Sequence, residues 1–145
     1  MAFSPDGRLL AISPPDGNLQ LYDLASRQVI RTLPGTKDEG QAAFSPDGKI
    51  IAAVTQNSVI LWDVTTGREQ GSPIPLARAG SPSFSHDGQT LAVMGPAGAT
   101  LWDTATHQQL GGVLTSRNSG WVVFSPGAAR PQKGISIFVD CWYSG

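Results

Sequence analysis

Six aspartates stand at repeating positions in this chain of 145 residues, and carboxylates brought together in pairs are common equipment for acid–base catalysis. Asp6, Asp47 and Asp87 each precede a glycine, while Asp23, Asp63 and Asp103 each follow an aromatic residue. Equivalent members lie 40 or 41 residues apart, which sets them one structural unit from each other. A catalytic pair would then arise only by coincidence. Turn geometry accounts for the first three, and bonds to turn amides account for Asp63 and Asp103. His86 and His107 could ligate a metal, but no third ligand stands at suitable spacing, so they read as solvated loop histidines. Cys141 is the only cysteine and has no flanking pattern of a nucleophile. Neither GxGxxG nor GxxxxGK[ST] occurs, so "GPAG" and "LGGV" read as turns rather than phosphate cradles. No catalytic, cofactor-binding or metal-binding residue is assigned, and the chain reads as a non-enzyme.

Composition narrows the partners. Ten Lys and Arg face 11 Asp and Glu, and charged residues are only 14% of the chain. That balance lacks the clustered basic surface that nucleic acid requires. The aliphatic run at 50–54 is far short of the roughly 20 residues that span a bilayer. "MAFSPDGRLL" has no basic segment followed by an apolar one, so no signal peptide is read. One cysteine cannot form an internal disulfide, which fits a reducing compartment and a cytoplasmic location.

The elements that hold the aspartates repeat as a unit. Phe-Ser recurs at Phe3, Phe44, Phe84 and Phe124. Pro-Asp-Gly follows at 5–7 and 46–48, His-Asp-Gly at 86–88, and the fourth copy breaks to Pro126-Gly127-Ala128. An apolar pair keeps its offset at Leu10-Ala11, Ile51-Ala52 and Leu91-Ala92. Tyr22-Asp23, Trp62-Asp63 and Trp102-Asp103 close each copy. Proline sets φ for the turn and glycine supplies positive φ at its exit, so the flanking apolar runs read as hairpin strands. A second tight turn follows at 14–18, "TQNS" and 95–98, and the weaker segments "RQVIRTL" and "HQQLGGV" supply a fourth strand. "KIIAAV" and "VILW" are apolar on both faces, as in sheets sandwiched between neighbours. Four-stranded units of about 40 residues stacked radially make a β-propeller, with Trp62 and Trp102 wedged between blades.

The pattern "FSPDG…LA…LWD" resembles the WD40 repeat family, over about residues 3–124. The proline-bearing FSPDG form resembles that family's bacterial style. The resemblance implies an all-β, partial WD40-type β-propeller: about three four-stranded antiparallel blades plus a degenerate fourth. The repeats fill 1–126, with blades at about 1–33, 41–72 and 81–112 and the start of a fourth at about 120–126. Residues 127–145 read either as a degenerate blade or as a truncated or shifted reading frame; "ISIFVD" is a fair strand there, and Trp142 falls in phase with Trp62 and Trp102. The family's Gly-His before a blade, whose His joins a hydrogen-bond network reaching the Trp, is absent, so apolar packing should carry the blades.

The resemblance further implies a non-catalytic platform for protein partners, without nucleic acid or membrane. Three blades leave end faces open, so the chain reads as a fragment of a larger propeller protein or as one that closes by self-association. The alternative is the propeller portion of a multidomain enzyme or signalling protein, a hydrolase or kinase fusion. The loops between blades share one rim with the second tight turns, and binding residues concentrate on such loops. Lys37, Asp38, Glu39, Gln56, Asn57, Arg78, Arg117 and Asn118 are the candidate interaction residues.

Overall fold

Each Ser-x-Asp-Gly segment satisfies its own polar groups before any distant contact is needed. Ser4 Oγ donates to Asp6 Oδ1 at 2.6 Å, and Ser4 Oγ in turn accepts the Leu9 amide at 2.8 Å. Asp6 Oδ1 also accepts the Arg8 amide at 3.0 Å. The same bonds recur at Ser45 and Asp47 and at Ser85 and Asp87. Gly7, Gly48 and Gly88 hold φ of 69°, 71° and 70°, and each closes its turn by donating its N–H in a hydrogen bond to the serine carbonyl. The chain is thereby reversed and the flanking strands are set in register.

The structure is a computed structural model and describes residues 1–15, 17–36, 41–114, 121–124 and 137–140. No helix occurs among them. The first sheet comprises β1 (Ala2–Phe3), β2 (Leu9–Ile12), β3 (Leu19–Asp23) and β4 (Gln28–Leu33), and the second β5 (Ala42–Phe44), β6 (Ile50–Val54), β7 (Ser58–Asp63) and β8 (Ile74–Pro75). The third comprises β9 (Pro82–Phe84), β10 (Thr90–Gly95) and β11 (Gly98–Asp103), followed by a pair, β12 (Trp121–Phe124) and β13 (Ile137–Asp140). All are antiparallel meanders in chain order. The opening strands β1, β5, β9 and β12 lie side by side, so the sheets fan out from a common inner edge.

The fourth strand is where the sheets differ. In the second sheet Trp62 bridges Glu69, but the strand proper resumes only at Ile74, opposite Val59. Regular pairing from Trp62 would put residue 72 there, so two residues are extra; Gly71, at φ 70°, lies within the excursion. The strand thus falls beyond residue 72, inside the segment that the sequence suggests is a loop. The third sheet repeats the offset as two isolated bridges, Trp102 to Gln109 and Ala99 to Leu114, so among the described residues three full strands stand there. The last pair differs as well. Ile137 pairs with Phe124, so β13 takes the second-strand position, although the phase of Trp142 suggests a third strand. Trp142 itself lies outside the described residues.

Alternation along the strands gives the second and third sheets two apolar sides each. The front side of the second sheet carries Ile51, Ala53, Ile60, Trp62 and Val64, and it packs on the back side of the first, Ala11, Leu19, Leu21 and Leu33. The third sheet's front, Phe84, Leu91, Val93 and Trp102, packs on the second's back, Ala52, Val54, Val59, Leu61 and Ile74. Ala92, Met94, Ala99 and Leu101 form the third sheet's back, against which Phe124 packs. Trp62 and Trp102 are 3% and 8% exposed, each sealed in the seam toward the preceding sheet. The Trp102 indole donates to Thr100 Oγ1 at 2.9 Å, whereas Ile60 holds the matching place beside Trp62, whose buried Nε1 has no partner. An orphaned donor costs about 1–3 kcal/mol. Burying a tryptophan removes about 200 Å² from water, worth about 5 kcal/mol at 25 cal/mol per Å². Burial therefore wins, and packing rather than a polar network holds this seam.

Polar ties clip neighbouring sheets at their margins. Arg31 donates from Nε to the Val64 carbonyl at 3.2 Å and from its terminal nitrogen to the Thr65 carbonyl. His107 Nδ1 lies 2.7 Å from the Ser72 carbonyl, so this histidine is a strut between sheets rather than a solvated loop residue. Arg27, Gly67 and His107 occupy one repeat position, at φ of 57°, 68° and 57°. Only Gly67 needs glycine twice over, since a Cβ there would meet Arg31 Cδ at 2.9 Å. A left-handed non-glycine residue costs about 1–2 kcal/mol, and glycine's extra chain entropy returns about 0.5–1 of it. Arg27 is exposed. Arg27→Gly should therefore raise unfolding stability by about 0.5–1 kcal/mol in urea titration, while Gly67→Ala should lower it.

Candidate protein-interaction rim

The aspartates do structural work. Asp63 Oδ1 accepts the Thr66 amide at 2.7 Å, and Asp103 Oδ1 accepts the amides of Ala105 and Thr106 at 3.0 and 2.8 Å. The Ser4 hydroxyl, helped by the Arg8 amide, holds the Asp6 carboxyl below its ordinary value, and Ser45 does the same for Asp47. Asp63 is lowered chiefly by the Thr66 amide. All three are thus kept ionised, the opposite of what a proton donor needs near neutrality. Among the described residues no three His, Cys, Asp or Glu come together as a metal cluster would require.

The opposite rim is built by main-chain docking. The tight turn between β6 and β7 is held by Thr55, whose hydroxyl donates to the Ser58 carbonyl at 2.9 Å and whose Oγ1 accepts the Ser58 amide at 3.1 Å. The loop after β8 lies down on that turn. Leu76 N–H donates to the Asn57 carbonyl at 3.1 Å, and Arg78 N–H donates to the Gln56 carbonyl at 3.0 Å. Arg78 adopts φ 53° to do so, and Ala79 is then buried in the seam below. Gln56, Asn57 and Arg78 are consequently brought together with their backbones fixed and their side chains exposed. Beside them a Cβ on Gly95, in the third sheet's tight turn, would stand 3.5 Å from Leu76 Cδ1. Lys37, Asp38, Glu39, Arg117 and Asn118 lie outside the described residues.

Two members of this rim have no obvious mark in the sequence. Ser81 Oγ donates to Gln41 Oε1 at 2.8 Å, joining the entries to β5 and β9. Their separation of 40 residues is the repeat itself, which was the available signal: equivalent positions of successive blades are spatial neighbours. In the first sheet the same rim is closed by Thr36, buried, whose hydroxyl donates to the Leu33 carbonyl and whose Oγ1 accepts the Leu19 amide, both at 2.7 Å.

Comparison with known proteins agrees with this geometry. No family model matches the chain. It is similar to Transcription factor unc-37 of Caenorhabditis elegans, 37% identical over 71 residues, which is 48% of this chain and 12% of that protein. It is also similar to the small ribosomal subunit protein RACK1 of the same organism, 35% identical over 66 residues, 46% of this chain and 20% of that one. The chain thus spans a fifth or less of these relatives. Among solved structures, the RRP9 WD40 repeats superpose with a TM-score of 0.72 over 83% of this chain and 40% of that one, at 14% identity. The Kuenenia stuttgartiensis Hydrazine Synthase gives 0.68 over 75% of this chain and 33% of that one, at 21% identity.

The serine-clamped turns make a testable contribution. A carboxyl whose folded value is lowered adds stability above its ordinary value of 3.8 and loses it as pH falls through the lowered one. Ser45→Ala should cost about 1 kcal/mol at neutral pH, and its gap from wild type should narrow as pH falls below 3.8 and through the lowered value, where Asp47 protonates in both. Melting temperatures recorded down the pH scale would show it, and a gap constant with pH would refute the clamp. Nested sheets, sealed tryptophans and structural likeness converge on one architecture: the chain folds as a partial β-propeller of the WD40 type.

Proposed function

We propose that this chain is a WD40-repeat interaction scaffold, part of a larger propeller protein, that docks a protein partner through the rim carrying Gln56, Asn57 and Arg78. The observation that carries the reading is the rim's construction: exposed polar side chains on loops whose backbones are pinned over a sealed core. Pre-organised loops of this kind lose little freedom on binding. Lys37, Asp38, Glu39, Arg117 and Asn118 extend the same patch in this proposal. The similarity to RACK1 and unc-37 supports a non-catalytic role, and the likeness to Hydrazine Synthase is one of fold alone. In this reading the proline-bearing repeats are of the bacterial style. The location is the cytoplasm, in keeping with a single cysteine and with no helix among the described residues long and apolar enough to cross a membrane.

Replacing Lys37, Arg78 and Arg117 together by alanine tests the rim. Charged anchors near an interface centre each carry about 1–2 kcal/mol, so partner recovery in a pull-down should fall at least about tenfold while the melting temperature holds. Undiminished recovery would remove the patch.

A further inference from the structure

Asp-Gly rearranges readily in an unstructured chain. The glycine nitrogen, with no side chain beside it, attacks the aspartate Cγ. The amide gives up its proton, a carboxyl oxygen leaves as water, and a five-membered succinimide closes. Water reopens that ring at either carbonyl and returns aspartate or isoaspartate, and the isoaspartate main chain is one methylene longer. This chain carries Asp-Gly at 6–7, 16–17, 47–48 and 87–88. At three of them a serine stands two residues before the aspartate. At the fourth Pro14 takes that place, and Asp16 lies outside the described residues.

We propose that the Ser-x-Asp-Gly turn is a chemical lock, which keeps Asp6, Asp47 and Asp87 from isomerising while it shapes the hairpins. Ring closure makes three demands, and the turn opposes each. The side chain must bring Cγ onto the glycine nitrogen. In all three copies Oδ1 is instead held by the serine hydroxyl at 2.6 Å and by the amide two residues on at 3.0 or 3.1 Å. The glycine amide must twist so that its nitrogen faces Cγ, yet in each copy its N–H is committed to the serine carbonyl at 2.9 Å. The carboxyl must be neutral to lose water, whereas hydrogen bonds to the charged form have lowered the Asp6 and Asp47 carboxyls. The serine is itself fixed: Ser4, Ser45 and Ser85 are buried, and each hydroxyl accepts the amide five residues on at 2.8 to 3.0 Å. An added methylene here would push the strand after the turn out of register with the strand before it. The pairings of Ile51 with Phe44 and Leu91 with Phe84, and the burial of both aliphatic residues, depend on that register. This role is separate from the rim and needs no partner.

Asp6, Asp47 and Asp87 fall in separate tryptic peptides, so chromatographic peptide mapping can follow isoaspartate at each during storage at neutral pH. In the folded chain all three should isomerise at least about tenfold more slowly than in the same chain unfolded by guanidinium chloride. Ser45→Ala should speed Asp47 at least about tenfold and leave Asp6 and Asp87 at their wild-type rates. Ser85→Ala should do the same to Asp87 alone. The two untouched turns report in each variant that the fold has survived. Equal rates in the folded and unfolded chain would overturn the proposal. So would serine variants that isomerise no faster than wild type, or a rise at all three aspartates together, which a general loosening of the fold would give.

Discussion

The structure depends on one contact repeated: an aromatic front side of one sheet pressed on the aliphatic back side of the sheet before it. Trp62 is buried in one cluster with Leu19, Leu21 and Leu33, and Trp102 in another with Val59, Leu61 and Ile74. Each is worth several kcal/mol of burial, comparable to the net stability of a whole domain. The sheets are accordingly apolar on both sides, and Ala52 and Ala53 point opposite ways into two different seams. Trp62 tolerates an unpartnered indole nitrogen because the apolar gain exceeds that cost.

The rest follows from keeping that contact in register. Serine and aspartate fold each turn without outside help, and Pro5 and Pro46 then rest beside the next turns, near Gly48 and Gly88. On the opposite rim Thr36, Gln41, Thr55 and Ser81 tie the loops with their side chains, while Gln56, Asn57 and the loop after β8 are joined through the main chain. Gln56, Asn57 and Arg78 can vary their side chains while the Leu76 and Arg78 amides hold the loops in place. Seams that fix the frame thereby leave a surface available for recognition.

Much of this was legible in the sequence because the repeat samples one environment several times. The spacing of Phe3, Phe44 and Phe84 and the Trp-Asp pairs located the hairpins, and double-sided apolar strands indicated stacking. The fourth strand was harder to read. Its two extra residues around Gly71 bulge out of the ladder, and bulges have no apolar period. His107 looked like loop solvent because its partner is a carbonyl, and Ser72's carbonyl carries no residue-type signal. The Gln41–Ser81 link was hidden for the same reason as it exists: both are unremarkable residues whose proximity comes only from the period. Exposure of Phe3 could not be separated from burial of Phe84 by residue type, since neighbours rather than identity decide it.

The sealed seam is most directly tested by tryptophan fluorescence in a chain with Trp121→Phe and Trp142→Phe, leaving Trp62 and Trp102 as reporters. Shut between sheets, both should emit at short wavelength, resist acrylamide quenching, and shift red together in one cooperative unfolding transition. Red-shifted emission and free quenching in the folded protein would contradict the account.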